Sequence, residues 1–182
     1  MKNKAPIVPD ASGPELFFGL VGAVGTDLDL AVNALQDALR NANYTSRVIK
    51  VIDQLKAFKK YSSRLEKPSI YDRYVARMDA GDEFRKASGL GHALALVSMI
   101  AIREQHRKAY SPKRSPKQPI PRCAYILKSL KHPAEVETLR RVYGPNFYLI
   151  SAYTPRDIRV QNLVARVAAS SSDSRTDKYR PD

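Results

Sequence analysis

The segment 16–52 constrains the fold more than any other, because it joins an apolar run, a glycine-rich turn, an amphipathic helix and a β-branched run. The first run, 16–24 (LFFGLVGAV), is short and rich in Phe and Val, which predicts a buried strand. Four apolar residues then recur at helical spacing: Leu28, Val32, Leu35 and Leu39. RVIKVI (47–52) predicts a second strand. This order predicts a right-handed parallel crossover.

The rest of the chain repeats the alternation of strands and helices. Residues 53–88 have a helical composition, with breaks near Ser62, Ser63 and Pro68, and an apolar helix follows at about 92–106. Strands are predicted at 123–127 and 147–153, and helices at 133–144 and 155–169. We therefore expect an α/β fold with three layers and a mostly parallel sheet. Ligands of such sheets bind at the carboxyl ends of the strands.

The chain length of 182 residues fits one folded domain with short ends. We predict a flexible arm at 1–14, the domain at 15–168, and a disordered tail, or the start of a linker to a further domain, at 169–182. Residues 108–121 (KAYSPKRSPKQPIP) carry four prolines and four basic side chains, which predicts a basic loop within the domain.

Charge and cysteine content narrow the possible partners. The net charge is +13, and residues 101–182 hold 17 basic against 7 acidic side chains, which favours an anionic partner. The single cysteine, Cys123, excludes an intrachain disulfide and a zinc site with several cysteines. The apolar stretch 89–102 is too short to span a bilayer and the N-terminus lacks an apolar signal region, so we expect a cytoplasmic protein without a membrane partner.

The glycine turn after the first strand is the main candidate site. Glycines let backbone N–H groups approach an anion, and the following helix N-terminus adds partial positive charge. We take five residues as candidate phosphate ligands: Gly19, Gly22, Gly25, Thr26 and Asp27. Aligned on GxxxxGK[ST], Thr26 fits the hydroxyl that contacts Mg²⁺, but Gly25 stands where the pattern has lysine. A purely structural turn is about equally compatible with these residues.

Basic side chains elsewhere are weaker candidates. Arg156 and Arg159 follow the fourth strand and could reach a phosphate, although a solvated helix face is slightly favoured. For the arginines of 73–85, surface ion pairs are favoured over ligand contacts. Thr26 is the predicted cap of the first helix, with Asp27 and Asp29 in its first turn.

Three stretches together carry a family resemblance: 14–39 (PELFFGLVGAVGTDLDLAVNALQDAL), 73–104 (RYVARMDAGDEFRKASGLGHALALVSMIAIRE) and 122–153 (RCAYILKSLKHPAEVETLRRVYGPNFYLISAY). They resemble the N-terminal P-loop kinase-like domain of bacterial anti-phage deoxycytidylate deaminases, over roughly 14–168. The family joins this domain to a zinc-dependent deaminase domain that acts on dCTP and dCMP. The resemblance implies a P-loop kinase-like fold and a nucleotide-sensing or regulatory role, with a deaminase domain and an antitoxin-like regulatory RNA as possible partners.

The chain departs from that family in its chemistry. It has no H-x-E and one cysteine, so it holds neither the zinc nor the catalytic glutamate of a deaminase, and no catalytic residue is assigned. The expected ligand is ATP, GTP or a deoxynucleotide, with Mg²⁺ as the expected cofactor and no zinc. Two alternatives stay open. One is a small nucleotide or nucleoside kinase, with Lys128 or Lys131 as a displaced lysine. The other is an RNA- or DNA-binding module that uses the basic C-terminal half.

Overall fold

The computed structural model describes residues 13–109 and 119–173. The strands are β1 (Leu16–Val21), β2 (Thr45–Lys50), β3 (Cys123–Leu130) and β4 (Phe147–Ser151). The α-helices are α1 (Leu28–Asn41), α2 (Lys59–Ser62), α3 (Ile70–Ser88), α4 (Ala93–Ala109), α5 (Pro133–Tyr143) and α6 (Arg156–Asp173). Short 3-10 helices span Ile52–Ala57 and Gly144–Asn146.

The four strands form one parallel sheet in the order β2-β3-β1-β4, which confirms the predicted α/β fold. The two central strands are β3 and β1, and Phe18 of β1 lies opposite Ile126 on one side and Tyr148 on the other. The register between β1 and β3 shifts after Leu20, next to Ser129, whose φ of 77° is unusual for a residue with a side chain.

Each face of the sheet has its own core because alternate strand residues point to opposite sides. Phe17, Tyr125 and Leu127 pack on one face, in a cluster that includes Leu55, Leu94 and Leu139 of the helical segments. Leu20, Ala124 and Ile126 pack on the other face against α1, through Val32 and Leu39. Helices therefore cover both faces, which gives the three layers.

Several predicted boundaries move by a few residues. Strand β1 ends at Val21 rather than at residue 24, and β2 is Thr45–Lys50 rather than 47–52. The cap of α1 is Asp27 and not Thr26: Asp27 Oδ1 accepts hydrogen bonds from Asp29 N and Leu30 N. Thr26 instead closes the preceding turn, with its N–H donating to Ala23 O at 3.1 Å.

The predicted loop and tail begin later than expected. Helix α4 continues through Ala109, and no proline lies within Ala93–Ala109 to interrupt it. Helix α6 continues to Asp173, so the first residues of the predicted tail 169–182 are helical. Ser170 Oγ donates to Val167 O at 2.8 Å, so the hydroxyl of this helical serine is paired with the backbone of the helix. The remaining tail, the core of the loop (110–118) and residues 1–12 of the arm lie outside the described residues.

The arm's last residues are attached to the domain, since Gly13 O accepts a hydrogen bond from Arg122 N at 3.0 Å.

Among the helices of the described ranges, none combines the length and the apolar character needed to cross a bilayer.

Candidate functional site

The glycine turn lies at the carboxyl edge of the sheet, between the end of β1 and the start of α1. Gly25 has a φ of 88°, a conformation that L side chains rarely adopt. A Cβ built on Gly25 would lie 2.5 Å from Arg159 O, so the turn also packs tightly against α6. Asn162 Nδ2 secures this contact by donating to Gly25 O at 3.1 Å. The turn therefore needs glycine at position 25 for both conformation and space.

A cleft with a volume of about 650 Å³ opens beside this turn. Its walls come from the turn, the ends of β2 and β3, helix α3 and helix α6. Seven basic side chains line it: Lys50, Arg73, Arg77, Arg85, Lys128, Lys131 and Arg166. Two acidic side chains, Asp29 and Asp82, also line it. Basic side chains therefore outnumber acidic ones along the lining of the cleft, which favours an anionic ligand.

Some of these cations are paired with carboxylates at the rim. Lys128 Nζ lies 2.6 Å from Asp29 Oδ1, and this hydrogen bond holds the pKa of Asp29 below its usual value. Arg166 Nη2 lies 3.3 Å from Asp27 Oδ1. A hydrogen bond to Tyr74 raises the pKa of Arg166, so this side chain stays charged.

Two arginines of α3 are ion-paired, as favoured from the sequence, but one pair is internal rather than on the surface. Arg77 Nη2 lies 2.9 Å from Asp53 Oδ1. Arg85 Nη2 lies 2.8 Å from Glu135 Oε1, and the Glu135 side chain is fully buried. The other oxygen of Glu135 accepts from Lys131 N at 2.8 Å and from His132 N at 3.2 Å. Glu135 thus fixes the turn between β3 and α5 to α3.

Lys131 is the basic side chain most closely joined to the glycine turn. Its Nζ donates to Gly22 O at 2.7 Å. Burial lowers the pKa of Lys131, and the nearby charge of Glu135 opposes that shift. The bond shown for this ammonium goes to a neutral carbonyl and not to a carboxylate.

A second cavity of about 490 Å³ lies on the other side of the turn. It is lined by the turn, the start of α5 and the segment after β4, including His132, Tyr153 and Arg159. Four residues line both cavities: Gly22, Ala23, Thr26 and Lys131. The two cavities therefore meet at the turn.

The structure brings some of the predicted site residues together and separates others. Gly22, Gly25 and Thr26 form the turn, and Asp27 caps α1 beside it. Gly19 lies inside β1, where a Cβ would come within 2.6 Å of Leu130 Cδ1 and 2.8 Å of Phe147 Cζ. Gly19 is therefore a packing position in the strand, outside the turn.

The two predicted arginines of α6 differ in their surroundings. Arg159 lines the second cavity, where its guanidinium donates to Thr154 O and Val24 O at 3.2 and 3.1 Å. Arg159 therefore braces the turn through backbone carbonyls. Arg156 is exposed at the start of α6 and lines neither cavity.

Thr26 carries an unsatisfied hydroxyl. Its Oγ1 is buried and has no hydrogen-bond partner among the described residues. A buried hydroxyl without a partner costs about 1–3 kcal/mol, which a ligand could recover. Among the residues present, Thr26 therefore fits the predicted contact with Mg²⁺ or a phosphate oxygen. In the described ranges, no group of three or more His, Cys, Asp or Glu side chains is arranged to hold a metal ion.

Lys50 and Glu135 also contribute to this region, and neither was among the predicted site residues. Lys50 is the last residue of β2, and the rule that ligands bind at strand carboxyl ends was the signal that could have identified it. Glu135 gave no comparable signal, because its partner Arg85 lies 50 residues away.

The chain matches no protein-family model, and no curated protein is significantly similar to it.

Proposed function

We propose that this chain binds a nucleotide in the cleft, with the phosphates at the glycine turn, and acts as a nucleotide-sensing regulatory module. The observation that carries the proposal is the lining of the cleft, where seven basic side chains and two acidic ones surround a turn rich in glycine. A phosphate chain is the common ligand whose charge and size suit such a lining.

The dimensions and the apolar part of the cleft support the same proposal. Its volume of about 650 Å³ falls within the range typical of small-molecule sites. Tyr74, Met78 and Ile70 of α3 line it together with the cations, so a base can pack beside a bound phosphate.

The regulatory part of the proposal rests on the resemblance to the kinase-like domain of anti-phage deoxycytidylate deaminases. On that proposal the chain reports the level of a deoxycytidine nucleotide to a deaminase partner. It supplies no deamination itself, because its sequence has no H-x-E and one cysteine. A preference for dCTP or dCMP over ATP and GTP would support this assignment.

The test is calorimetric titration of the chain with ATP, GTP, dCTP and dCMP, each with Mg²⁺, at two salt concentrations. We expect micromolar binding of at least one nucleotide, weakened about tenfold or more in Lys50→Glu. Lys59→Glu is the matched control, because it makes the same charge change at an exposed lysine that does not line the cleft. No binding of any nucleotide, or equal weakening by both variants, would contradict the proposal.

A small kinase is the second candidate, and the second cavity of about 490 Å³ across the turn is the observation that favours it. Two cavities that meet at one turn suit two ligands that exchange a phosphoryl group. The measurement is ATP consumption with nucleoside and nucleotide acceptors, and no turnover above the buffer rate would reject it. Binding of RNA that weakens steeply with salt would instead favour the nucleic-acid alternative.

A further inference from the structure

The glycine turn cannot carry its own lysine. Position 25, where the phosphate-loop pattern has lysine, has a φ of 88° and leaves 2.5 Å between a Cβ and Arg159 O. Any side chain there would require both a strained backbone and displacement of α6. A cation for the phosphate must therefore come from another part of the chain.

Most cations near the turn are already engaged with carboxylates or with several acceptors. Lys128 pairs with Asp29 at 2.6 Å, and Arg85 pairs with the buried Glu135 at 2.8 Å. Arg159 donates to two backbone carbonyls. An incoming phosphate would have to compete with these contacts.

Lys131 is a cation that lies beside the turn and has no carboxylate partner among the described residues. It lines both cavities, and its Nζ lies 2.7 Å from a carbonyl of the turn itself. No carboxylate oxygen of the described residues lies within 4.0 Å of this nitrogen. Its backbone is held by Glu135, which accepts from Lys131 N at 2.8 Å. An ammonium that is held beside a neutral carbonyl and has no carboxylate partner gains more from a bound anion than an ion-paired one does.

We propose that Lys131 contacts the bound phosphate and replaces the lysine that the glycine turn lacks. This inference rests on the proposed function and adds the residue that recognises the anion. It places the phosphate over Gly22–Thr26, where the two cavities meet. The ligand class is an anion with a terminal phosphate or polyphosphate.

The experiment measures affinity for nucleotides and for inorganic tripolyphosphate in the wild type, Lys131→Met and Lys128→Met. We expect Lys131→Met to weaken both kinds of ligand by about ten- to a hundredfold, as for loss of a charge-assisted hydrogen bond. Lys128→Met removes the same charge from the same strand–turn region, and we expect a smaller loss. Circular dichroism and thermal unfolding check that each variant is folded.

The outcomes separate this inference from the proposed function. If the wild type binds no nucleotide or tripolyphosphate, the proposed function itself is wrong. If the wild type binds and Lys131→Met binds equally well, the cleft function stands and the role of Lys131 is rejected. A larger loss in Lys128→Met than in Lys131→Met rejects it too. Should Lys131→Met fail to fold, Lys131→Gln is measured against the same criteria.

Discussion

Arg85 and Glu135 form an interior ion pair, with 2.8 Å between Arg85 Nη2 and Glu135 Oε1 and side-chain exposures of 12% and 0%. Removing the Glu135 charge leaves the largely buried Arg85 guanidinium, within the described part of the chain, with only the solvent-exposed carboxylate of Asp82, at 3.1 Å. We expect Glu135→Gln to lower the free energy of unfolding by about 3–5 kcal/mol. Urea denaturation followed by circular dichroism measures this change.

The control for that variant is the exposed pair of Arg40 and Asp37, which are also joined at 3.0 Å. Their side chains are 75% and 66% exposed, so Asp37→Asn should cost less than about 1 kcal/mol. Similar losses in Glu135→Gln and Asp37→Asn would show that the interior pair contributes no more than an exposed one.

Gly25 should tolerate substitution worse than other glycines with positive φ. In Gly25→Ala the strain of the backbone adds to the clash of the Cβ with Arg159 O. Gly89→Ala is the matched control, because its φ is 68° and nothing lies within 4 Å of the added Cβ. We expect a loss of about 1–2 kcal/mol in Gly89→Ala and a clearly larger loss in Gly25→Ala, measured by urea unfolding. Equal losses of unfolding free energy in the two variants would mean that α6 can move away from position 25 at little cost.

Lys131 should make stability depend on pH in the alkaline range. Burial lowers its pKa, so the unfolded chain holds this proton more tightly than the folded one. Stability therefore rises with pH from the lowered pKa up to the usual pKa of lysine. We expect the stability of Lys131→Met to rise less than that of the wild type as the pH approaches the usual pKa of lysine from below. Urea unfolding at several alkaline pH values measures how the free energy of unfolding changes with pH in each protein. The same pH dependence in both would contradict a lowered pKa for Lys131.

Cys123 should be unreactive in the folded chain. It is 2% exposed, and burial raises the pKa of its thiol, so little thiolate is present or accessible. We expect slow reaction with a thiol-specific disulfide reagent at pH 8 and fast reaction in concentrated urea. Fast labelling under native conditions would show that β3 opens locally at its first residue.

Much of the fold could be predicted because its signals are local. Apolar runs, the helical spacing of Leu28 to Leu39 and the proline at the start of α5 each act within one element. The cap of α1 could not be assigned this way, because Thr26 and Asp27 are both good caps. Asp27 Oδ1, and not Thr26 Oγ1, accepts from the first N–H groups of α1, and this choice depends on how the chain leaves β1.

The position of the candidate site could be predicted from the sequence, but the roles of several of its residues could not. The carboxyl edge and the turn at Gly22–Thr26 follow from the strand–turn–helix order. The role of Gly19 in packing does not, since it depends on Leu130 and Phe147 from distant strands. The bond from Lys131 to Gly22 joins residues 109 positions apart, and neither residue reveals the other in the sequence.

The hydrogen bonds of Glu135 connect helix α3 to the glycine turn. One carboxylate oxygen holds Arg85 of α3, and the other holds the amide of Lys131, whose ammonium holds the glycine turn at Gly22. Helix α3, which forms one wall of the cleft, and the glycine turn are therefore linked through two side chains, Glu135 and Lys131. Loss of either side chain would leave α3 and the glycine turn without this hydrogen-bonded connection, so the shape of the cleft depends on groups buried behind its lining as well as on the lining itself.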